Sequence, residues 1–208
     1  MYTISAFFRI VLSLALVSNA TAHGVALKAV GNAPGAFAGV GLGVVDSTSR
    51  TGTAPKPYQR DTTLFKDGKI ILARSCGRTT FRGWNNATLE VPKLIRQNRL
   101  TRATADGWLK ITWHQMDKDG GGPFICKVDN DGIGNSFTTQ VTVTKNIPGN
   151  SVSQNQYQLK KWEMVVELPR NLDCKGQFEG GKDICMLRCQ NFAEAGPFGT
   201  CIPFQQVR

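Results

Sequence analysis

Two histidines are present in 208 residues, and one of them directly follows the small-residue tripeptide Ala20-Thr21-Ala22. The residues before it open with a short segment bearing one cation, Arg9, and continue through the apolar run Ile10-Val-Leu-Ser-Leu-Ala-Leu-Val17. That layout, residues 1–22, is a secretory signal peptide ending in an A-x-A cleavage site, and its apolar run is too short to remain as a membrane span. Cleavage after Ala22 makes His23 the first residue of a mature chain, 23–208. A terminal histidine can do what no internal one can: its free α-amine and its ring nitrogen chelate one ion together. A second imidazole completes a T-shaped set of three nitrogens, which suits Cu(II), the ion that the Irving–Williams order favours. His114 is the one other imidazole. The expected metal ligands are His23 and His114, holding one copper, Cu(II)/Cu(I), per chain.

The elements that must position these residues are short and β-like. Gly107-Trp-Leu-Lys-Ile-Thr-Trp-His114 alternates, with Trp108, Lys110, Thr112 and His114 on one face and Leu109, Ile111 and Trp113 on the other. His114 thus leaves a strand just before the turn Asp119-Gly-Gly-Gly-Pro123, at an edge where sites are commonly built. Lys69–Arg74, Phe137–Thr144, Trp162–Leu168, Asp183–Cys189 and Cys201–Val207 also have strand composition. A turn or two of helix is expected over Val91–Asn98, with Pro92 in its first turn. Gly31–Asp61, rich in Gly, Ala, Pro, Ser and Thr, reads as a long loop. Many short strands with abundant glycine predict an all-β fold, an antiparallel immunoglobulin-like β-sandwich in one domain.

Six cysteines, all beyond Ala22, predict three disulfides of open connectivity. A cysteine metal site is disfavoured, because no paired C-x-x-C motifs occur and thiols oxidise outside the cell. The formal net charge of +10 comes from scattered Lys and Arg with no basic block. Neither nucleic acid nor membrane is expected as a partner. Asn86-Ala87-Thr88 is an N-glycosylation sequon in a loop-like context. No G-x-S-x-G nucleophile motif is present, and no acidic pair stands out as a glycosidase couple. Asp117, Asp119, Asp129 and Asp131 do not have the spacing of a calcium loop.

A terminal histidine paired with a second at a strand end resembles the histidine brace of lytic polysaccharide monooxygenases. Val165-Val-Glu-Leu-Pro169, Cys185-Met-Leu-Arg188 and Gly196-Pro-Phe-Gly-Thr-Cys201 resemble the closing strands of the fungal enzymes. That resemblance implies Phe198, three residues before Cys201, as a non-ligating aromatic on the axial side of copper. It also implies Gln205 or Glu194 as a hydrogen-bonding group just outside the ligands, and a Cys76–Cys201 bridge. The chain departs from the cellulose-active enzymes in having Phe198 in place of tyrosine and Gly196 in place of glutamine.

A broader likeness runs through His23-Gly24, Gly41-Leu-Gly-Val-Val-Asp46, Arg60-Asp-Thr-Thr-Leu-Phe65, Ser75-Cys-Gly-Arg78, His114-Gln115 with Asp119–Cys126, and Gly196–Cys201. These resemble the Egh-like virulence-factor family of fungi, small secreted proteins associated with appressoria and host penetration. Together the two resemblances imply a secreted, monomeric copper monooxygenase acting on insoluble wall or cuticle polysaccharide. A copper protein without turnover remains open. So does a non-catalytic effector that binds glycan or a host surface, with Trp84 and Trp108 as its candidate aromatics.

Overall fold

The alternation of residues 107–114 is realised in a sandwich. The computed structural model describes residues 23–208, so the signal-like segment and its cleavage site lie outside the described residues. The longer strands, in chain order, are β1 (Gly24–Gly31), β2 (Thr101–Thr104), β3 (Trp108–Gln115), β4 (Ile125–Asp129), β5 (Thr142–Lys145), β6 (Lys160–Glu167), β7 (Gly181–Gln190) and β8 (Phe198–Val207). One sheet has the order β1-β3-β6-β5, antiparallel throughout. The other is built on β4-β7-β8 and extended by two-residue strands at both edges. One pairing departs from the antiparallel expectation: β2 runs parallel to β8, with Thr101 opposite Phe204.

Leu109, Ile111 and Trp113 point inward from β3 and meet Met164, Val166, Leu187, Ile202 and Phe204, all buried. The second sheet is buried on its other face as well. There Ile184, Met186 and Cys201 pack under Leu42, Phe65, Ala87 and Val91. Ala87 and Val91 belong to α1 (Ala87–Arg96), which starts four residues earlier than expected and carries Pro92 in its interior. Asn86 stands at its N-cap position, exposed and making no capping bond through its side chain.

Two expected strands differ. Lys69–Arg74 contributes only Ile70–Ile71, an exposed hairpin arm paired with Lys66–Asp67. Phe137–Thr144 splits, because Thr139–Gln140 pairs with β4 in one sheet and Thr142–Lys145 with β6 in the other. The residues of Gly31–Asp61 do form a long loop, broken by a helical turn at Pro55–Tyr58. The loop is pinned by Arg50, whose guanidinium makes a two-pronged ion pair at 2.5 and 2.7 Å with the fully buried Asp61.

Three disulfides close the structure and leave no free cysteine among the described residues: Cys76–Cys201, Cys126–Cys189 and Cys174–Cys185. The first is the one implied by the resemblance, and it ties β8 to the loop layer across a separation of 125 residues. Restricting so long a loop in the unfolded chain contributes most of its effect through entropy. The Cys76→Ser/Cys201→Ser double variant should therefore lose about 2–5 kcal/mol of stability in urea unfolding. A thiol assay of the native protein should read zero.

Candidate functional site

The site is assembled where β1 begins and β3 ends. Gly24 pairs with Gln115 and Val25 with His114. One residue further back, the Met116 amide donates to the His23 carbonyl at 2.8 Å. His23 and His114 are thus diagonal neighbours across β1 and β3, a spacing that long side chains can bridge. Gly24 is required here by packing, since a Cβ would lie 2.3 Å from the Trp113 ring.

Just beyond β3 the chain turns back over His23. Asp117 caps a single 3-10 turn, Lys118–Gly120, by accepting the Asp119 amide at 3.1 Å. Its other oxygen, Oδ2, contacts His23 Nδ1 directly. The Asp119 carboxylate stands 3.8 Å from His23 Nε2. The His23 ring, Asp117 and Asp119 therefore offer three ligand atoms all within 4.8 Å of one another. His114 is not part of that cluster. Phe198 is fully buried and lies edge-on to the His23 ring, with centroids 4.7 Å apart.

Buried amides hold these parts in register. Gln115 Nε2, with two hydrogens to donate, lies within hydrogen-bond distance of the Asp117 carbonyl at 2.8 Å, of Asn155 Oδ1 and of the Tyr157 carbonyl, and its Oε1 accepts from Trp162 Nε1. Asn191 Nδ2 donates to the Asp119 and Gly121 carbonyls at 3.0 Å while its Oδ1 accepts the Phe198 amide at 2.9 Å. One asparagine thereby joins the acidic turn to the aromatic. From the long loop, Gln59 Nε2 donates to Asp117 Oδ2 at 3.1 Å and to the Thr53 carbonyl. Its own Oε1 is buried without a partner.

His114 is buried, flanked across the sheet by Val25 and Lys161, and neither ring nitrogen has a hydrogen-bond partner of ordinary geometry. Burial holds its pKa below the usual 6.5, and the charges of Arg50 and Lys161 push the same way, while the Arg50 backbone offsets part of the shift. The ring is therefore neutral at neutral pH, the form that ligates a metal.

Of the residues expected from sequence, the structure brings His23 and Phe198 into contact and places His114 diagonally across from His23 on the adjacent strand. Two others do not fit their expected role. Gln205 lies seven residues along β8 from Phe198, on the order of 23 Å at strand rise, and its amide donates to the Lys182 carbonyl at the far end. Glu194 is exposed on the β7–β8 turn. The groups actually beside the cluster are Gln59, Gln115 and Asn191. The four aspartates separate as well: Asp129 is buried and accepts the amides of Gly134 and Asn135 at 2.8 and 2.9 Å, so it shapes a loop elsewhere. Trp108 is half-buried beneath Lys110. Trp84, 54% exposed, lines an open polar cleft of about 670 Å³ together with Arg82, Asn86 and Glu90.

A disulfide-bonded sandwich with a histidine contacted by two aspartates at one edge belongs to a class that comparison with known proteins makes specific. The family model described as Egh16-like virulence factor matches residues 21–199, and the chain belongs to that family. It is similar to the appressoria-specific virulence factor GAS1 of Pyricularia oryzae (strain 70-15), 35% identical over 185 residues, covering 88% of this chain and 71% of the relative. It is also similar to the appressoria-specific virulence factor GAS2 of the same fungus, 30% identical over 147 residues, covering 69% of this chain and 51% of the relative. No solved structure matches the chain.

Gly120 and His114 each carry a test. A Cβ on Gly120 would fall 1.9 Å from the His23 carbonyl oxygen, so Gly120→Ala should cost about 1–3 kcal/mol and loosen the start of β1, read as a lowered midpoint in thermal unfolding. A histidine whose folded pKa is depressed favours the folded state above its unfolded pKa, and that contribution is lost as pH falls below 6.5 toward the folded value. The metal-free protein should therefore lose stability as pH falls through that window, and His114→Gln should lose less. Equal pH slopes for the two proteins would contradict the buried, neutral ring.

Proposed function

We propose that the chain, processed so that it begins at His23, is a secreted virulence-associated protein that binds one copper ion and acts oxidatively on cell-wall or cuticle polysaccharide during host penetration. The observation that carries this reading is the buried ring of His114, neither of whose nitrogens has a hydrogen-bond partner of ordinary geometry, lying diagonally across β1 and β3 from His23. Buried polar atoms without partners are rare in native proteins and call for an explanation. A metal ion shared with His23 supplies one.

His23 stands in one cluster with Asp117 and Asp119, and His114 lies diagonally across from it on the adjacent strand. The α-amine and ring of His23 and the ring of His114 would provide nitrogen donors, with Asp117 as an oxygen donor. A nitrogen-rich set favours copper over harder divalent ions. Asp119 and Gln59 would orient Asp117 and any bound water, and Phe198 packs against the His23 ring and keeps solvent from that side. Copper, when bound, supplies one-electron chemistry with oxygen or peroxide. The chain's own contribution is to hold the His114 ring neutral and both imidazoles in place. The secreted setting draws support from the three disulfides and from the relatives, which are appressoria-specific virulence factors.

A second reading, a glycan-binding effector without turnover, is favoured by one observation. Trp84 is exposed in a cleft rich in polar side chains, an arrangement in which an aromatic face and hydrogen-bonding groups can meet a sugar ring. Asn86, exposed on the same cleft, is on this account a site for N-linked glycan.

Isothermal titration of protein beginning at His23 should give one tight Cu(II) per chain. Retaining Ala22 as an extra first residue, which turns the amine into an amide, should weaken binding as much as His114→Ala, in each case by roughly a hundred-fold or more, the scale of losing one ligand or its support. Equal binding by the extended protein would remove the amine from the site. With ascorbate, the loaded protein should release oxidised oligosaccharides from a panel of fungal and plant wall polymers, and His114→Ala should release none while remaining folded. Tight copper binding with no oxidised product from any polymer would leave the effector reading.

A further inference from the structure

On the outer face of the second sheet, Arg188 of β7 lies 5% exposed with its guanidinium between two aromatic rings, 4.0 Å from the Phe65 centroid and 5.4 Å from that of Phe137. Its Nη1 donates to the carbonyls of Ala73 and Ser75 at 2.8 and 3.0 Å, and its Nη2 to Gln190 Oε1 at 2.5 Å. All three acceptors are neutral. Among the described residues no carboxylate pairs with it, and its remaining two N–H groups have no protein acceptor. Directly opposite it in the register stands a second cation, Lys127 of β4, exposed and likewise without an acidic partner among the described residues. Facing cations on adjacent strands repel, and a buried charge is normally neutralised by a partner. Burial already drags the Arg188 pKa down to about 10, which leaves it charged at neutral pH.

The two cations share a cleft of about 200 Å³ whose other lining residues are Ile71, Ala73, Ile125, Phe137 and Gln190. Ile71 is 57% and Ile125 43% exposed there, although both are large and apolar. The space is smaller than the pockets that hold drug-sized ligands, which begin near ~300 Å³. A cationic end, apolar walls and one amide define the complement: a small anion with an apolar body. The planar guanidinium matches the two oxygens of a carboxylate.

We propose that this cleft is a binding site for a small organic monocarboxylate with an aliphatic body, whose carboxylate is held by Arg188 and Lys127 and whose chain lies along Ile71, Ile125 and Phe137. A purely structural Arg188, stapling residues 73–75 to β7, accounts for its three bonds. It leaves unexplained the unpaired lysine across from it and the apolar side chains left open to solvent beside both.

The test is a two-dimensional NMR titration of the metal-free protein with sodium octanoate, octanol and sodium acetate. Octanoate should shift the amides of Ile125–Lys127 and Arg188–Gln190 saturably. Octanol and acetate should each bind at least roughly ten-fold more weakly, since each lacks one half of the recognition, and a charge-assisted hydrogen bond alone is worth about that factor. Lys127→Gln, at an exposed position, should weaken octanoate severalfold without lowering the thermal midpoint. Arg188→Gln should abolish binding if it folds, and Lys127→Gln decides the matter if it does not. Overturning results are an absence of saturable shifts with octanoate, octanol binding as tightly as octanoate, or unchanged octanoate affinity in Lys127→Gln.

Discussion

Trp113 is the piece on which the edge of the sandwich depends. Its ring is fully buried, packs against the bare backbone of Gly24, stands edge-on to Phe124 at 4.9 Å, and donates from Nε1 to the Gly120 carbonyl at 2.8 Å. One side chain thereby sets the entry of β1 and the return of the acidic turn. His23 is adjacent to the first, and Asp117 and Asp119 belong to the second. A large indole that satisfies its single donor while burying its whole surface is a strong local constraint. It leaves His23 with little choice of position.

Around that constraint the site is held by amides rather than by ion pairs. Gln115, Asn191 and Gln59 each bond two or more separate segments, and all three are buried. Such bonds cost no net charge in the interior and are directional, so they fix geometry without fixing protonation. The one buried ion pair nearby, Arg50 with Asp61, anchors the loop that brings Gln59 to Asp117 and places a positive charge near His114. A second buried cation, Arg188, differs from Arg50 in that its acceptors are all neutral.

The sandwich was legible wherever burial was one-sided. The alternation from Trp108 to Trp113 matches the inward and outward faces of β3, and it ends at His114, which lies on the outward face but is buried. β1 was not legible. Its sequence, Gly24-Val-Ala-Leu-Lys-Ala-Val-Gly31, has weak strand propensity, and a bulge between Ala26 and Lys28 breaks the period on which the pattern rests. Ile70–Ile71 misled in the opposite direction, since β-branched residues suggested a core strand where the chain makes an exposed hairpin. At the site, the two histidines and Phe198 were visible as residue types at telling positions. Asp117 and Asp119 have no calcium-loop spacing, and the histidine they face lies 94 residues from Asp117 in sequence. Gln59 sits in a loop whose composition says nothing about where it folds back. Gln205, implied by the resemblance, lies far from Phe198 because a strand carries side chains away at its full rise per residue.

The chain thus belongs to a fungal virulence-factor family and presents, at one sandwich edge, a histidine clamped by aspartates with a second, buried histidine diagonally across from it on the adjacent strand. The most direct measurement of whether these form one metal centre is the electron paramagnetic resonance spectrum of protein beginning at His23 and loaded with one equivalent of Cu(II). The account predicts a single axial species whose nitrogen couplings arise from the amine and both imidazoles, with one imidazole coupling lost in His114→Ala. A spectrum of hydrated Cu(II), or nitrogen couplings unchanged by His114→Ala, would contradict it.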